Sequence, residues 1–240
     1  MNRKFSNEEK LSLKKKGIIN QKQEDFYVFR FLSDVGYFKA SEMRDLAKIA
    51  ETYGNGEISL TSRLTIEIPF IKEEDIEEVI KFAKERNLRI GGAGNTVRAI
   101  ISCKGTVCKH GLIDTRALAK SIENDFLGMK VPGKFKIGVF GCINSYGKAQ
   151  SNDFSVMPSY NAEKNEMEFM IFLGGRSGRK ARKANPMDRK FKEEDIKKLI
   201  KIAIEYYNEK AEGKERFAEI IERLGEQKVE NDIIHKLHNI

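Results

Sequence analysis

From residue 26 onward the apolar positions recur with two alternating periods, one of a pleated strand and one of a helix. Residues 26–32, FYVFRFL, are aromatic and β-branched and predict a strand. ASEMRDLAKIAETYG follows with Met43, Leu46, Ile49 and Ala50 on one helical face, and Ser41 is the expected N-cap. In EISLTSRLTIEIPF, residues 57–70, Ile58 and Leu60 alternate with polar neighbours, and Leu64, Ile66 and Ile68 do so again after a break at Ser62 and Arg63. That stretch reads as two short strands or one bent one. KEEDIEEVIKFAKERN is a helix with acids in its first turn and bases in its last, as the helix dipole favours. TVRAIIS then predicts a closing strand that runs into Cys103.

The order β-α-β-β-α-β is that of a ferredoxin-like sandwich, so the class is α+β, with a mixed α/β region after it. In that region DTRALAKSIENDF predicts a helix, GKFKIGVF a strand, and DFSVMPSY with EMEFMIFLGG a strand pair turning at NAEKN. EEDIKKLIKIAIEYYNEKA and KERFAEIIERLG predict two further helices ahead of a polar tail. The longest apolar runs fall far short of the ~18 residues that cross a bilayer, and the first residues lack the apolar stretch of a signal peptide. A cytoplasmic protein with no membrane partner is the expectation.

Charge sharpens this picture. The formal net charge is +8, with excess in KLSLKKKG, readable as a solvated tail, and in GGRSGRKARKANPMDRKFK, residues 174–192. A glycine-containing basic loop binds polyanions of many kinds. No aromatic residue lies between Gly174 and Lys190 to stack on bases, which argues against nucleic acid.

The three cysteines fall in CKGTVCKHG, residues 103–111, and FGCINSYG, residues 140–147. Three is too few and too odd a number for a disulfide framework. Short-spaced thiols followed by a distant one suit a metal or cluster site, and packing thiols are the plain alternative. His110 reads as solvent-facing or helix-capping, and His235 and His238 as surface residues of the tail.

GNTVRAIISCKGTVCKHGLIDTRALA, GKFKIGVFGCINSYGKAQSND, FLGGRSGRKAR and YYNEKAEGKERFAEIIERLG resemble, in order, the motifs of the sirohaem and [4Fe-4S] module of sulfite and nitrite reductases. LTSRLTIEI resembles the ligand-contacting strand of that family's ferredoxin-like half. The resemblance, over residues 25–225, implies a basic extension at 1–24, a ferredoxin-like half at 25–95, a sirohaem/4Fe-4S domain at 96–225 and a tail at 226–240. It implies that Cys103, Cys108 and Cys142 ligate a [4Fe-4S] cluster. Arg63 would contact sirohaem, and Arg98, Lys134 and Lys136 the anion. Asn144 and the loop residues Arg176, Arg179 and Arg182 would hold the tetrapyrrole's carboxylates. The implied substrate is sulfite or nitrite, reduced with electrons from an external donor protein, and the implied assembly is a homodimer or a complex with a partner subunit.

The chain departs from the family pattern in three places. Four residues, not five, separate Cys103 from Cys108, and Tyr146 stands where the family has a fourth cysteine. A phenolate can ligate haem iron but does not replace a bridging thiolate. The family's arginine ahead of its Pro-Gly-Gly turn is Leu32 here, with Arg30 two positions earlier. Three readings follow: a reductase, a non-catalytic relative that carries a tetrapyrrole or cluster, and a basic polyanion-binding protein.

Overall fold

The computed structural model describes residues 5–145 and 148–239. Its first layer is a four-stranded antiparallel sheet in the order β1-β2-β4-β3, from β1 (Ile18–Asn20), β2 (Phe26–Phe31), β3 (Ser59–Leu60) and β4 (Ile66–Lys72). Alternation along β2 buries Tyr27, Phe29 and Phe31 against α2 (Ala40–Tyr53) and α3 (Ile76–Glu85), and leaves Phe26, Val28 and Arg30 half-buried on the opposite face. Helix α1 (Asn7–Lys15), closed by a Ser6–Glu9 capping box, adds Leu13 to this core. The basic extension is therefore folded: it supplies both α1 and the edge strand β1, which pairs with β2.

The second sheet runs β5-β6-β7-β8, from β5 (Ile101–Ser102), β6 (Ile137–Val139), β7 (Phe154–Asn161) and β8 (Glu166–Leu173). The first three strands are parallel and the last pair antiparallel. Its core is covered by α4 (Thr115–Phe126), α5 (Glu193–Lys210), α6 (Phe217–Leu224) and α7 (Glu226–His238). Buried Tyr207, Phe135 and Phe217 pack ring to ring where α5 and α6 meet the sheet.

The α+β class holds, and four local expectations change. TVRAIIS does not close the first sheet. Only Ile101 and Ser102 form a strand, and they pair with β6. Where β1 stops, the carboxyl end of β2 is met instead by the segment around Ile90, through bonds from Leu32 N to the Arg89 carbonyl (2.8 Å) and Gly91 N to the Arg30 carbonyl (3.1 Å). Lys39, not Ser41, is the N-cap of α2, because Glu42 reaches back 2.7 Å to the Lys39 amide and starts the helix earlier. Met43 on that helix is exposed while Leu46, Ile49 and Ala50 are buried. The polar tail is helix α7, whose Val229 and Ile233 lie one turn apart and are buried. Among the described residues no helix is long and apolar enough to cross a membrane.

Candidate cofactor and anion site

β5 and β6 are adjacent and parallel, so the loops that leave their carboxyl ends emerge side by side, the usual place for ligands in such sheets. Cys103 directly follows β5, and Cys142 lies three residues beyond β6. The two loops touch at glycines: a Cβ on Gly141 would lie 2.9 Å from Gly105 Cα, and within the first loop a Cβ on Gly111 would lie 1.9 Å from the Gly105 carbonyl oxygen. Only bare backbone fits this crossing.

The crossing gathers all three cysteines into the wall of one cavity of about 710 Å³, together with Asn144, His110 and Ser62. His110 is thus exposed and also part of this wall. Each thiol is free and partly exposed, and the Gly141 amide donates to Cys103 Sγ at 3.1 Å. Among the described residues no three of His, Cys, Asp and Glu come close enough to share one ion. Tyr146 lies outside the described residues.

A second cavity, about 180 Å³, adjoins the first through Ser62 and is lined by Arg30, Arg63, Arg98, Lys134 and Lys136. The β3–β4 turn carries Arg63 into it. Thr61 and Thr65 close the turn with a 2.6 Å hydroxyl contact, Leu64 takes a left-handed φ of 59°, and Arg63 projects toward the second sheet. There Arg63 donates to the Ala99 and Ile137 carbonyls and to Asn152 Oδ1, the last at 2.7 Å. The break read at Ser62 and Arg63 is this turn.

Lys134 and Lys136 flank the buried Phe135 and so face the cavity side of their segment. Among the described residues neither ammonium has a hydrogen-bond or ion-pair partner. Burial, then the Arg98 charge, holds Lys134 below the ordinary lysine value. Burial, then Arg63, does the same to Lys136. Burial also pulls Arg98 down to about 10, with Arg30 and Arg216 adding to the fall. It pulls Arg63 to about 10 against the opposing charge of Asp153. Both arginines remain cationic at neutral pH. Arg98 donates to the Gly92 carbonyl at 2.7 Å, while its Nε is buried without a partner.

Behind this wall lies a pair that pattern reading missed. Asp153, fully buried, takes both bonds of Arg216 Nη2, at 3.0 and 2.9 Å, and the Lys136 amide at 2.9 Å. Burial pushes its carboxyl up, and Arg216 with the Lys136 amide offsets that. Sixty-three positions separate the partners, so no local spacing pointed to them.

The basic loop is placed differently. Arg176 and Arg182 pair backbone to backbone, and their guanidiniums go to Glu219 (3.1 Å) and Glu226 (3.1 Å). Arg179 is exposed at the loop's tip. None of the three lines either cavity.

The comparisons with known proteins agree with this architecture. Residues 93–239 match the family described as the nitrite and sulphite reductase 4Fe-4S domain, and residues 19–86 its nitrite/sulfite reductase ferredoxin-like half domain. A coenzyme F420-dependent sulfite reductase of Methanocaldococcus jannaschii is 34% identical over 62% of this chain and 25% of its own length. An assimilatory-type sulfite reductase of Nitratidesulfovibrio vulgaris is 23% identical over 91% of this chain and 97% of its own. The solved structure of the Mycobacterium tuberculosis NirA protein superposes with a TM-score of 0.80 at 13% identity, and covers 95% of this chain and 46% of that one. The last likeness concerns the fold.

Proposed function

Since the chain belongs to the nitrite and sulphite reductase 4Fe-4S family, we propose that it is an oxidoreductase that reduces a small oxyanion, sulfite or nitrite, with electrons from an external donor protein. The observation that carries this reading is the adjacency of a three-thiol cavity and a five-cation cavity across Ser62. Cys103, Cys108 and Cys142, which line one cavity, would hold an iron–sulfur cluster. Arg63 would meet a carboxylate of sirohaem, and Asn144 lines the adjoining wall. The two cofactors would supply electron storage and an iron that binds the anion. Arg98, Lys134 and Lys136 perform the remaining work: they attract the anion, offset its charge in a partly buried site, and keep N–H donors within reach of its oxygens. The isolated buried Nε of Arg98 supports a ligand-binding role for that wall.

A second reading, a non-catalytic carrier of a cluster or tetrapyrrole, is favoured by Tyr146 at the fourth cysteine position. Anaerobic purification with iron, sulfide and tetrapyrrole quantification separates the two, followed by sulfite and nitrite reduction assays with a chemically reduced viologen dye. Cluster iron, a reduced-tetrapyrrole spectrum and turnover are expected. Cofactor without turnover of either anion selects the carrier reading.

A further inference from the structure

Leu32 and Arg30 are two residues apart on one extended segment and therefore share a face. That face looks onto residues 91–92: a Cβ on Gly91 or Gly92 would lie 2.9 and 3.0 Å from the methyl carbons of Leu32. Arg30 reaches the same place from two positions earlier. Its Nε bonds Glu67 Oε1 at 2.8 Å, directly across the strand pair, which leaves Nη1 to donate to the Gly92 carbonyl at 2.8 Å. Arg98 Nη1 donates to that same carbonyl at 2.7 Å. One backbone oxygen thus holds two guanidiniums side by side, and both line the cation cavity. Gly92 sits at φ 72°, a conformation that L side chains rarely adopt, so the carbonyl's direction depends on glycine here.

We propose that Arg30 is a positioning residue of the anion site: through the shared Gly92 carbonyl it fixes Arg98 against the cavity, and it supplies from β2 the positive charge that Leu32 cannot. Two like charges at one acceptor repel each other. The arrangement persists because Glu67 compensates Arg30 and no acid compensates Arg98 among the described residues. Arg98 is therefore the guanidinium left with its charge available, and Arg30 the one that keeps it in place.

The inference rests on the reading of the smaller cavity as an anion site, and the test separates the two. Sulfite, nitrite, sulfate and phosphate are titrated by calorimetry into the anaerobically purified full chain, wild type and the variants Arg30→Gln, Arg30→Lys and Arg30→Gln with Leu32→Arg. Arg30→Gln is expected to weaken sulfite or nitrite binding about tenfold, equivalent to ~1.4 kcal/mol. Arg30→Lys, which keeps the charge but has one nitrogen for two acceptors, should recover part of that loss, and the double variant should recover part by returning a guanidinium to the same face. The melting temperature of each variant is measured alongside. Wild-type affinity in Arg30→Gln overturns the inference and leaves the proposed function intact. Equal loss in all three variants, in step with lowered melting temperature, also overturns it and makes Arg30 a structural residue. Binding of sulfate and phosphate as tight as that of sulfite, with the Arg30 dependence retained, upholds the inference and removes the reductase reading. No binding of any of the four anions by wild type overturns both.

Discussion

The two cavities that meet at Ser62 are built by opposite means. The thiol cavity is large, its rim includes the exposed apolar residues Val107 and Leu64, and its shape comes from backbone loops that cross at glycines. The cation cavity is a quarter of that size, and three of its five charged side chains, Arg30, Arg63 and Arg98, are tied to backbone carbonyls of the two layers. Loops that leave space suit a bulky guest. Charges held in place before an anion arrives need little reorganisation when it does. The contrast teaches that one half of the site depends on loop packing and the other on buried electrostatics, and substitutions can pull the two apart.

The largest effect is expected from Asp153→Ala, which leaves the half-buried Arg216 guanidinium with no acid beside it. Loss of one partner of a buried pair costs about 3–5 kcal/mol, on the order of 10 °C in melting temperature for a chain of this size. Thermal unfolding checks this, and a drop under about 2 °C would contradict the view that the cation wall rests on that pair. Gly111→Ala comes next. Its Cβ would overlap the Gly105 carbonyl, so the loop that carries Cys103 and Cys108 must open at a cost of about 1–3 kcal/mol. Iron loading should fall sharply while calorimetric nitrite affinity changes less than about twofold, given that RT ln 2 is only ~0.4 kcal/mol. Equal loss of both would show that the cavities are not separable.

The smallest effect is a matter of pH. Lys134 and Lys136 titrate below the ordinary lysine value, and an anion prefers their protonated forms. Affinity is therefore full at the lower pH and declines as pH rises through the depressed lysine range, sooner than exposed lysines would dictate. Nitrite is the probe, since its own charge is constant from neutral to alkaline pH. Lys136→Ala should lower nitrite affinity about threefold to tenfold, in keeping with one lost charge-assisted contact, and flatten this alkaline decline. The cofactor spectrum should stay as in the wild type. A pH profile identical to that of the parent removes Lys136 from the site.

Much of the fold was legible because burial imposes periodicity. Phe29 and Phe31 declare the strand β2, and Leu46 with Ile49 the helix α2, through spacing alone. The end of the first sheet was not legible, since TVRAIIS has strand propensity without saying which sheet it joins. Pairing there is decided by Ile90 at one edge and Ile137–Val139 at the other. At the site, the motif resemblance selected residues that the structure brings to the two cavities: the cysteines, Asn144, Arg63, Arg98, Lys134 and Lys136. Arg176 and Arg182 went elsewhere because Glu219 and Glu226, on helices no local pattern ties to the loop, claim their charge. Asp153 and Arg216 were invisible for the same reason.

The Arg63 turn also bears on when, during synthesis, the protein becomes itself. The first sheet can complete its ladder as soon as residue 91 has emerged, but Arg63 then projects a guanidinium whose acceptors at Ala99, Ile137 and Asn152 do not yet exist. Asp153, next to the last of these, stays without its counter-charge until Arg216 is made. The cation cavity thus cannot mature before residue 216 is made, and on a chain arrested short of it Arg63 has part of its carbonyl cradle while Asp153 has no guanidinium.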